Sequence, residues 1–119
     1  MDFSLNEYLE ELASLVNVDC GTYTTEGIDV IASQFEQKYR DMPGWEIKRV
    51  DCGVAGVGLE IRNKPSADDI DIMLIGHMDT VFPLGTAAKR PMSVDEHRVY
   101  GPGAADMKSG LLNIVYALR

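Results

Sequence analysis

The sequence is poor in several residue types, and each scarcity excludes a class of protein. Its 119 residues include 11 Lys and Arg against 19 Asp and Glu, a net charge of −8. Phosphate backbones are bound by clustered Lys and Arg, so this charge argues against a nucleic-acid partner. No apolar run approaches the roughly 20 residues that cross a bilayer. The start, MDFSLNEYLEEL, lacks the basic and apolar regions of a signal peptide. We therefore expect a cytoplasmic protein with no membrane or nucleic-acid partner.

Cysteine and histidine are also scarce. Cys20 and Cys52 form no Cys-x-x-Cys pair, which predicts free thiols in a reducing compartment rather than a zinc site. One of the two histidines, His97, lies in the polar stretch SVDEHR and is predicted to be a solvated turn residue. With no internal repeat and with ordinary apolar content, the chain is long enough for one domain with a core.

The first part of the chain predicts two amphipathic helices that cover a core. Ser4 and Glu7 form a capping box, and apolar residues then recur at helical spacing: Leu5, Leu9, Leu12 and Val16. A loop at Asp19-Cys20-Gly21 precedes a second helix, which Thr24 or Thr25 caps and Pro43-Gly44 ends. Its apolar face is predicted to be Ile28, Ile31, Phe35 and Met42.

After Pro43 the pattern is typical of strands. The first candidate contains Trp45, Ile47 and Val50, and the second runs from Val54 to Ile61, although its glycines weaken that prediction. Ile70 to Ile75 is the strongest candidate, because a continuous apolar run suits a strand that is buried on both faces. A loop from Thr80 to Met92 precedes a short candidate at Arg98-Val99-Tyr100.

The final run, from Leu111 to Leu118, is apolar nearly all round and predicts a buried helix. No Gly, Asn or Pro follows it as a stop signal, so we expect the chain to be the N-terminal piece of a longer protein. Helices, strands and a further helix in this order predict an α/β fold with helices on both faces of a sheet, incomplete here.

Residues 100–110, YGPGAADMKSG, look at first like a phosphate-binding loop. The spacing does not fit, because Met107 stands before Lys108 where such a loop needs glycine. The carboxylate of Asp106 would also repel a phosphate. Nucleotide binding is therefore disfavoured, and the glycines are interpreted as shaping a turn that delivers Asp106 to a site.

A histidine and an aspartate follow the strongest strand candidate, in the order GHMD. Side chains alternate along a strand, so His77 and Asp79 are expected on one face, at the end where α/β sheets bind ligands. This arrangement suits a metal site in which His77 is a ligand, Asp79 orients it, and Asp106 is a second ligand. The alternative is a hydrogen-bonded histidine at a strand end and a helix-capping Asp106.

Two stretches, GHMDTVFPLGTAAKRPM and VYGPGAADMKSG, resemble the N-terminal signatures of the co-catalytic zinc metallopeptidases. This family includes glutamate carboxypeptidase, aminoacylase, acetylornithine deacetylase and succinyl-diaminopimelate desuccinylase, and the match looks closest to the first branch. The resemblance is close over residues 72–112 and looser around Asp19-Cys20-Gly21-Thr22. It implies a three-layer sandwich with a mixed, largely parallel sheet and helices on both faces. Residues 1–119 would be the N-terminal part of the catalytic domain, without the dimerisation domain and the C-terminal catalytic half.

The same resemblance implies roles for individual residues. His77 would be a ligand of one zinc ion, Asp106 the carboxylate that bridges two, and Asp79 the residue that orients the catalytic machinery. The peptide bond between Asp106 and Met107 would be cis. Lys108 is assigned only to shaping the turn and the start of the following helix.

The implied reaction is hydrolysis of a peptide or N-acyl amino acid by a water that two zinc ions activate, with a glutamate as general base. Peptides with C-terminal glutamate are the branch-level expectation. The family's Glu-Glu pair and later histidine find no counterpart in residues 1–119, since Glu10-Glu11 is interpreted as helix surface. The chain alone is therefore predicted to be inactive, and a homodimer is expected. The alternative is a non-catalytic binding module, a degenerate relative that associates through exposed sheet edges.

Overall fold

The computed structural model describes residues 2–119 as four helices and two small antiparallel sheets. The helices are α1 (Leu5–Val16), α2 (Thr25–Arg40), the single turn α3 (Thr86–Lys89) and α4 (Ser109–Leu118). The strands are β1 (Glu46–Asp51), β2 (Val57–Arg62), β3 (Ser93–Val94) and β4 (Val99–Tyr100), paired β1 with β2 and β3 with β4. Between residues 2 and 119, no helix is both long and apolar enough to cross a membrane.

The two predicted N-terminal helices are confirmed. Ser4 Oγ accepts a hydrogen bond from the backbone N–H of Glu7 at 3.3 Å, which starts α1 at the expected place. The apolar face of α2 is buried as predicted, and Met42 joins the core just beyond the helix. Leu5 departs from the prediction, because this first residue of α1 is 58% exposed.

The strands β1 and β2 form a hairpin that packs beside α2. The first strand lies where the sequence predicts it, but the second begins at Val57 instead of Val54. A single 3-10 turn occupies Gly53–Ala55, and both Gly53 and Gly56 adopt positive φ angles. These backbone angles turn the chain, so pairing with β1 begins only after the second glycine.

The segment from Ile70 to Ile75 is the main departure from the sequence-based prediction. It forms no strand, and its side chains are exposed instead of buried, with Ile72 at 79% and Ile75 at 78%. A strand needs a neighbour to complete its hydrogen bonds, and within the described part of the chain no strand pairs with this segment. For the same reason, the predicted three-layer sandwich with a largely parallel sheet is not seen in residues 2–119. The α/β character itself is present.

Two predictions about the C-terminal third need correction. The last helix was expected to be buried all round, but α4 fully buries only Leu112 and Val115 and leaves Leu118 38% exposed. The predicted short strand is confirmed as β4, and it pairs with β3, which lies in a stretch predicted as polar turn. Asp95 closes this hairpin by accepting hydrogen bonds from the backbone N–H groups of His97 and Arg98.

Lys108 joins the C-terminal part of the chain to the end of α1. Its side chain is only 1% exposed, and its ammonium donates hydrogen bonds to the carbonyl oxygens of Leu15 at 2.7 Å and Val18 at 3.0 Å. The C-terminus of a helix presents unpaired carbonyls and partial negative charge, which favour a cation. The turn that precedes α4 is thereby fixed against α1.

We expect Lys108→Met to destabilise the fold. The substitution keeps the length of the side chain but removes the hydrogen bonds to the Leu15 and Val18 carbonyls. Because the Leu15 carbonyl still accepts from the Val18 N–H, we expect a total cost of about 1–3 kcal/mol. Urea denaturation measures the change. Lys89→Met, at an exposed position, is the matched control and should stay within about 0.5 kcal/mol of the wild type. Equal stability of the two variants would contradict this account of Lys108.

Candidate metal centre

The loop between α1 and α2 holds the segment that carries His77 and Asp79. The backbone N–H of Thr80 donates to the carbonyl of Cys20 at 2.9 Å, and the N–H of Thr22 donates to the carbonyl of Thr80 at 3.0 Å. These two bonds form a parallel bridge between Gly21 and Thr80. The bridge fixes the backbone immediately after His77 and Asp79, although the preceding residues are unpaired.

Asp106 is delivered by an irregular turn at Ala104–Lys108. Asp106 and Met107 have non-helical backbone angles there, and the peptide bond between them is cis, as the resemblance implied. Gly103 makes the turn possible in two ways. Its φ of +76° suits glycine, and a Cβ at this position would lie 2.6 Å from the Cγ2 of Thr80. The glycine therefore lets the turn approach the segment that carries His77.

The structure brings the three predicted site residues into one chain of contacts. His77 Nε2 lies 2.8 Å from Asp106 Oδ1, and His77 Nδ1 lies 3.1 Å from Asp79 Oδ1 and 3.0 Å from the Asp79 carbonyl. The imidazole thus stands between two carboxylates. The Asp106 side chain is 85% exposed, while that of Asp79 is 34% exposed. Asp106 is therefore open to solvent on the side away from His77.

These donors suit part of a zinc site. Imidazole nitrogen and carboxylate oxygen are common zinc ligands, and Nε2 of His77 lies 2.8 Å from the Asp106 carboxylate. A carboxylate on the second ring nitrogen, as Asp79 provides, is the usual way to hold a ligating histidine. Among residues 2–119, however, no group of three or more His, Cys, Asp or Glu side chains is placed to hold a metal ion. A catalytic zinc site needs three protein ligands, so further ligands are required.

The other candidate ligands lie elsewhere. His97 is exposed on the β3–β4 turn, as predicted, with Nε2 3.9 Å from a carboxylate oxygen of Glu96. Both cysteines are free thiols, also as predicted. Cys20 is buried and its thiol donates to the Met78 carbonyl, whereas Cys52 is exposed on the β1–β2 turn. None of these side chains is hydrogen-bonded to His77 or Asp106.

An open cleft of about 540 Å³ lies against the site. His77, Asp79 and Asp106 line one part of it, and Phe82 with Gly103 lines another. The cleft therefore offers room for a ligand directly beside the His77–Asp106 pair.

Two residues near the site were not singled out from the sequence. Thr22 donates its hydroxyl to Asp79 Oδ2 at 2.5 Å. Asp19 accepts hydrogen bonds from the backbone N–H groups of Ala87 and Gly85, both at 2.9 Å, and these bonds lower the pKa of the Asp19 carboxyl. Asp19 thereby fixes the loop that lines the cleft. The only available signal was the loose family match around residues 19–22.

The two carboxylates control the charge of the imidazole. Partial burial lowers the pKa of His77, but the hydrogen bonds and charges of Asp106 and Asp79 outweigh it, so the net pKa is raised above the ordinary value of 6.5. A raised pKa means that the protonated ring stabilises the folded state. This contribution is present below the pKa of the unfolded chain and is lost as the pH rises through the folded-state pKa.

In the metal-free protein we expect Asp106→Asn to lower the pKa of His77, because the negative charge beside Nε2 is lost and the amide oxygen that remains is a weaker acceptor. An NMR titration of the ring protons measures this shift directly. Glu96→Gln, which removes a carboxylate next to the other histidine, should leave the pKa of His77 unchanged. An unchanged His77 titration in Asp106→Asn would rule out the contact at 2.8 Å.

Comparison with known proteins finds similarity in the part of the chain that contains the candidate site. Residues 73–119 match the model of Peptidase family M20/M25/M40. Over 112 residues, 93% of this chain, the sequence is 33% identical to Carboxypeptidase G2 of Pseudomonas sp. (strain RS-16). The chain spans 27% of the length of that relative. The matched residues include His77, Asp79 and Asp106, whose roles toward zinc stay predictions. The resemblance stated from the sequence is thus confirmed: this chain carries the N-terminal signatures of Peptidase family M20/M25/M40 and is most like its glutamate carboxypeptidase branch.

Proposed function

We propose that this chain supplies part of the active site of a zinc-dependent amide hydrolase of the exopeptidase type. The observation that carries the proposal is the convergence of His77 and Asp106, which come from two separate signatures and lie 2.8 Å apart at the edge of a cleft. Asp79 holds the far side of the imidazole. The family match covers all three residues and supports hydrolase chemistry.

His77 Nε2 and the Asp106 carboxylate would hold zinc, with two ions expected in a complete site. Bound zinc lowers the pKa of a water ligand toward about 7 and polarises a carbonyl oxygen. Asp79 accepts a hydrogen bond from Nδ1 and so directs Nε2 toward the cleft. The 85% exposure of the Asp106 side chain leaves its second oxygen open for a further contact. We propose that the substrate binds in the cleft beside Phe82, next to these ligands.

The substrate class is proposed from the family branch. A peptide or an N-acyl amino acid is the expected class, and C-terminal glutamate is its most specific form. The general base and the remaining ligands are not among the site residues described above. The one Glu-Glu pair in the sequence, Glu10-Glu11, lies on α1, where Glu11 pairs with Arg119 at 3.1 Å. We therefore propose that the 119-residue chain does not hydrolyse these substrates by itself.

The two free thiols of the chain support a reducing compartment, and the cytoplasm is our proposed location.

The experiment compares the native gene product with the 119-residue chain. With zinc and peptides ending in glutamate, we expect turnover by the native product and none by the chain alone. His77→Ala should abolish turnover, because it removes a metal ligand, while the exposed His97→Ala should retain it. Removal of zinc by a chelator should also abolish activity, and zinc should restore it. Robust turnover by the 119-residue chain, or full activity of His77→Ala, would overturn the proposal.

A second proposal concerns association. The apolar side chains of Ile70, Ile72, Met73, Leu74 and Ile75 are 57–79% exposed and follow one another in a segment that forms no helix or strand. Unpaired backbone groups beside apolar side chains favour pairing with another strand. We propose that the isolated chain forms a homodimer through residues 70–75. This segment also supports the alternative function, a non-catalytic module that binds a partner.

Ile72→Lys should weaken this association, because it places a charge in the apolar segment. Light scattering across a wide concentration range should show a mass that rises in the wild type and rises less in the variant. Val54→Lys is the matched control, since Val54 is equally exposed at 79% but lies on the β1–β2 turn. A clean wild-type monomer at every concentration would contradict the proposal.

A further inference from the structure

Thr22 lies on the far side of Asp79 from His77. Its hydroxyl is 2.5 Å from Asp79 Oδ2, while the other carboxylate oxygen, Oδ1, is 3.1 Å from His77 Nδ1. Both oxygens of Asp79 are therefore engaged, one by Thr22 and one by the imidazole. His77 in turn contacts Asp106. The four side chains form one line of hydrogen bonds: Thr22, Asp79, His77 and Asp106.

The backbone holds Thr22 in place independently of its side chain. Its N–H donates to the Thr80 carbonyl at 3.0 Å, within the bridge that joins residues 21 and 80. Thr22 Oγ1 also lies 3.4 Å from the same carbonyl, which further limits its rotation. The hydroxyl is therefore presented to Asp79 from a fixed point. By contrast, the Asp79 side chain is 34% exposed and would otherwise be free to rotate toward solvent.

We infer that Thr22 is a positioning residue for the metal centre: its hydroxyl fixes the Asp79 carboxylate, which fixes the His77 ring. If Oδ2 is held by Thr22, Oδ1 faces Nδ1 and joins the Asp79 carbonyl, 3.0 Å away, as an acceptor for its proton. In the neutral ring, which carries one proton, these acceptors compete with Asp106 Oδ1 at Nε2, so holding Oδ1 in place shifts the proton toward Nδ1 and leaves the lone pair of Nε2 for a metal ion. The inference rests on the proposed metal site for its purpose, but the hydrogen bonds themselves can be tested without metal.

Three substitutions separate the hydroxyl from the rest of the side chain. Thr22→Val removes the hydroxyl and keeps the shape, and Thr22→Ser restores the hydroxyl without the methyl group. Thr24→Val is the matched control, because Thr24 stands before α2 without a hydrogen bond from its side chain to the helix. Thr22 is exposed, so these variants should fold, and Thr22→Ala is the second variant if Thr22→Val does not.

The first readout is the ring nitrogen spectrum of His77 in the metal-free protein, recorded by long-range 1H–15N NMR at a pH where the ring is neutral. We expect Thr22→Val to reduce the share of the form with the proton on Nδ1. Thr22→Ser and Thr24→Val should give the wild-type spectrum, and His97 should not change in any variant. If Thr22 acted only through packing, Thr22→Ser would not restore the His77 spectrum that Thr22→Val changes.

The second readout is affinity for zinc ion alone, measured in competition with a chelator. Loss of a residue that supports a ligating histidine typically weakens metal binding about 10- to 100-fold, so we expect this range for Thr22→Val and near wild-type affinity for Thr22→Ser. The inference is overturned if the His77 spectrum is the same in Thr22→Val and wild type, or if serine and valine shift it equally. Zinc affinity is measured on the native gene product, because residues 2–119 hold no group of three ligands. Failure of the hydrolase proposal would appear instead as absent zinc binding by the native gene product with the spectral change intact.

Discussion

The ammonium of Lys108 and the carbonyl oxygens at the end of α1 form the contact on which the site depends. A buried lysine is costly unless its donors are satisfied, and here the end of a helix supplies acceptors and favourable charge. Asp106 is two residues away, in a turn that the Lys108 N–H closes by donating to the Gly103 carbonyl at 3.0 Å. The position of its carboxylate is therefore tied to Lys108, which packs against α1.

The residues just after α1 also bind the segment that carries His77 and Asp79. Cys20 and Thr22 bond the backbone of Thr80, and Asp19 bonds the loop at Gly85 and Ala87. Residues 15–22 thus contact both signature stretches, which are residues 76–92 and 99–110. Because one short segment holds both, a change in this segment would move His77 and Asp106 relative to each other. This explains why a region with only a loose family match matters for the site.

The same structure leaves its most apolar segment uncovered. Ile70 to Ile75 leads directly into His77, but no strand among residues 2–119 pairs with it. The local sequence prefers a strand, but the segment forms no regular secondary structure. Ordering of His77 consequently comes from the residues that follow it and not from those that precede it. The proposed association would give residues 70–75 the strand pairing that residues 2–119 do not supply.

The sequence determined the local features: the cap at Ser4, the apolar face of α2, the position of β1 and the free thiols, because these follow from nearest neighbours and periodicity. It also identified His77, Asp79 and Asp106, since the two signatures are contiguous stretches. The start of β2 was misplaced because positive φ angles at Gly53 and Gly56 override a strand-like composition. Burial of residues 70–75 was misjudged because burial depends on which partners are present. Only the tertiary structure revealed the partners of Thr22 and Lys108, which lie 57, 90 and 93 positions away in the chain. Contacts between residues so far apart produce no periodic pattern in a single sequence. Which side chains orient the site therefore depends on tertiary packing.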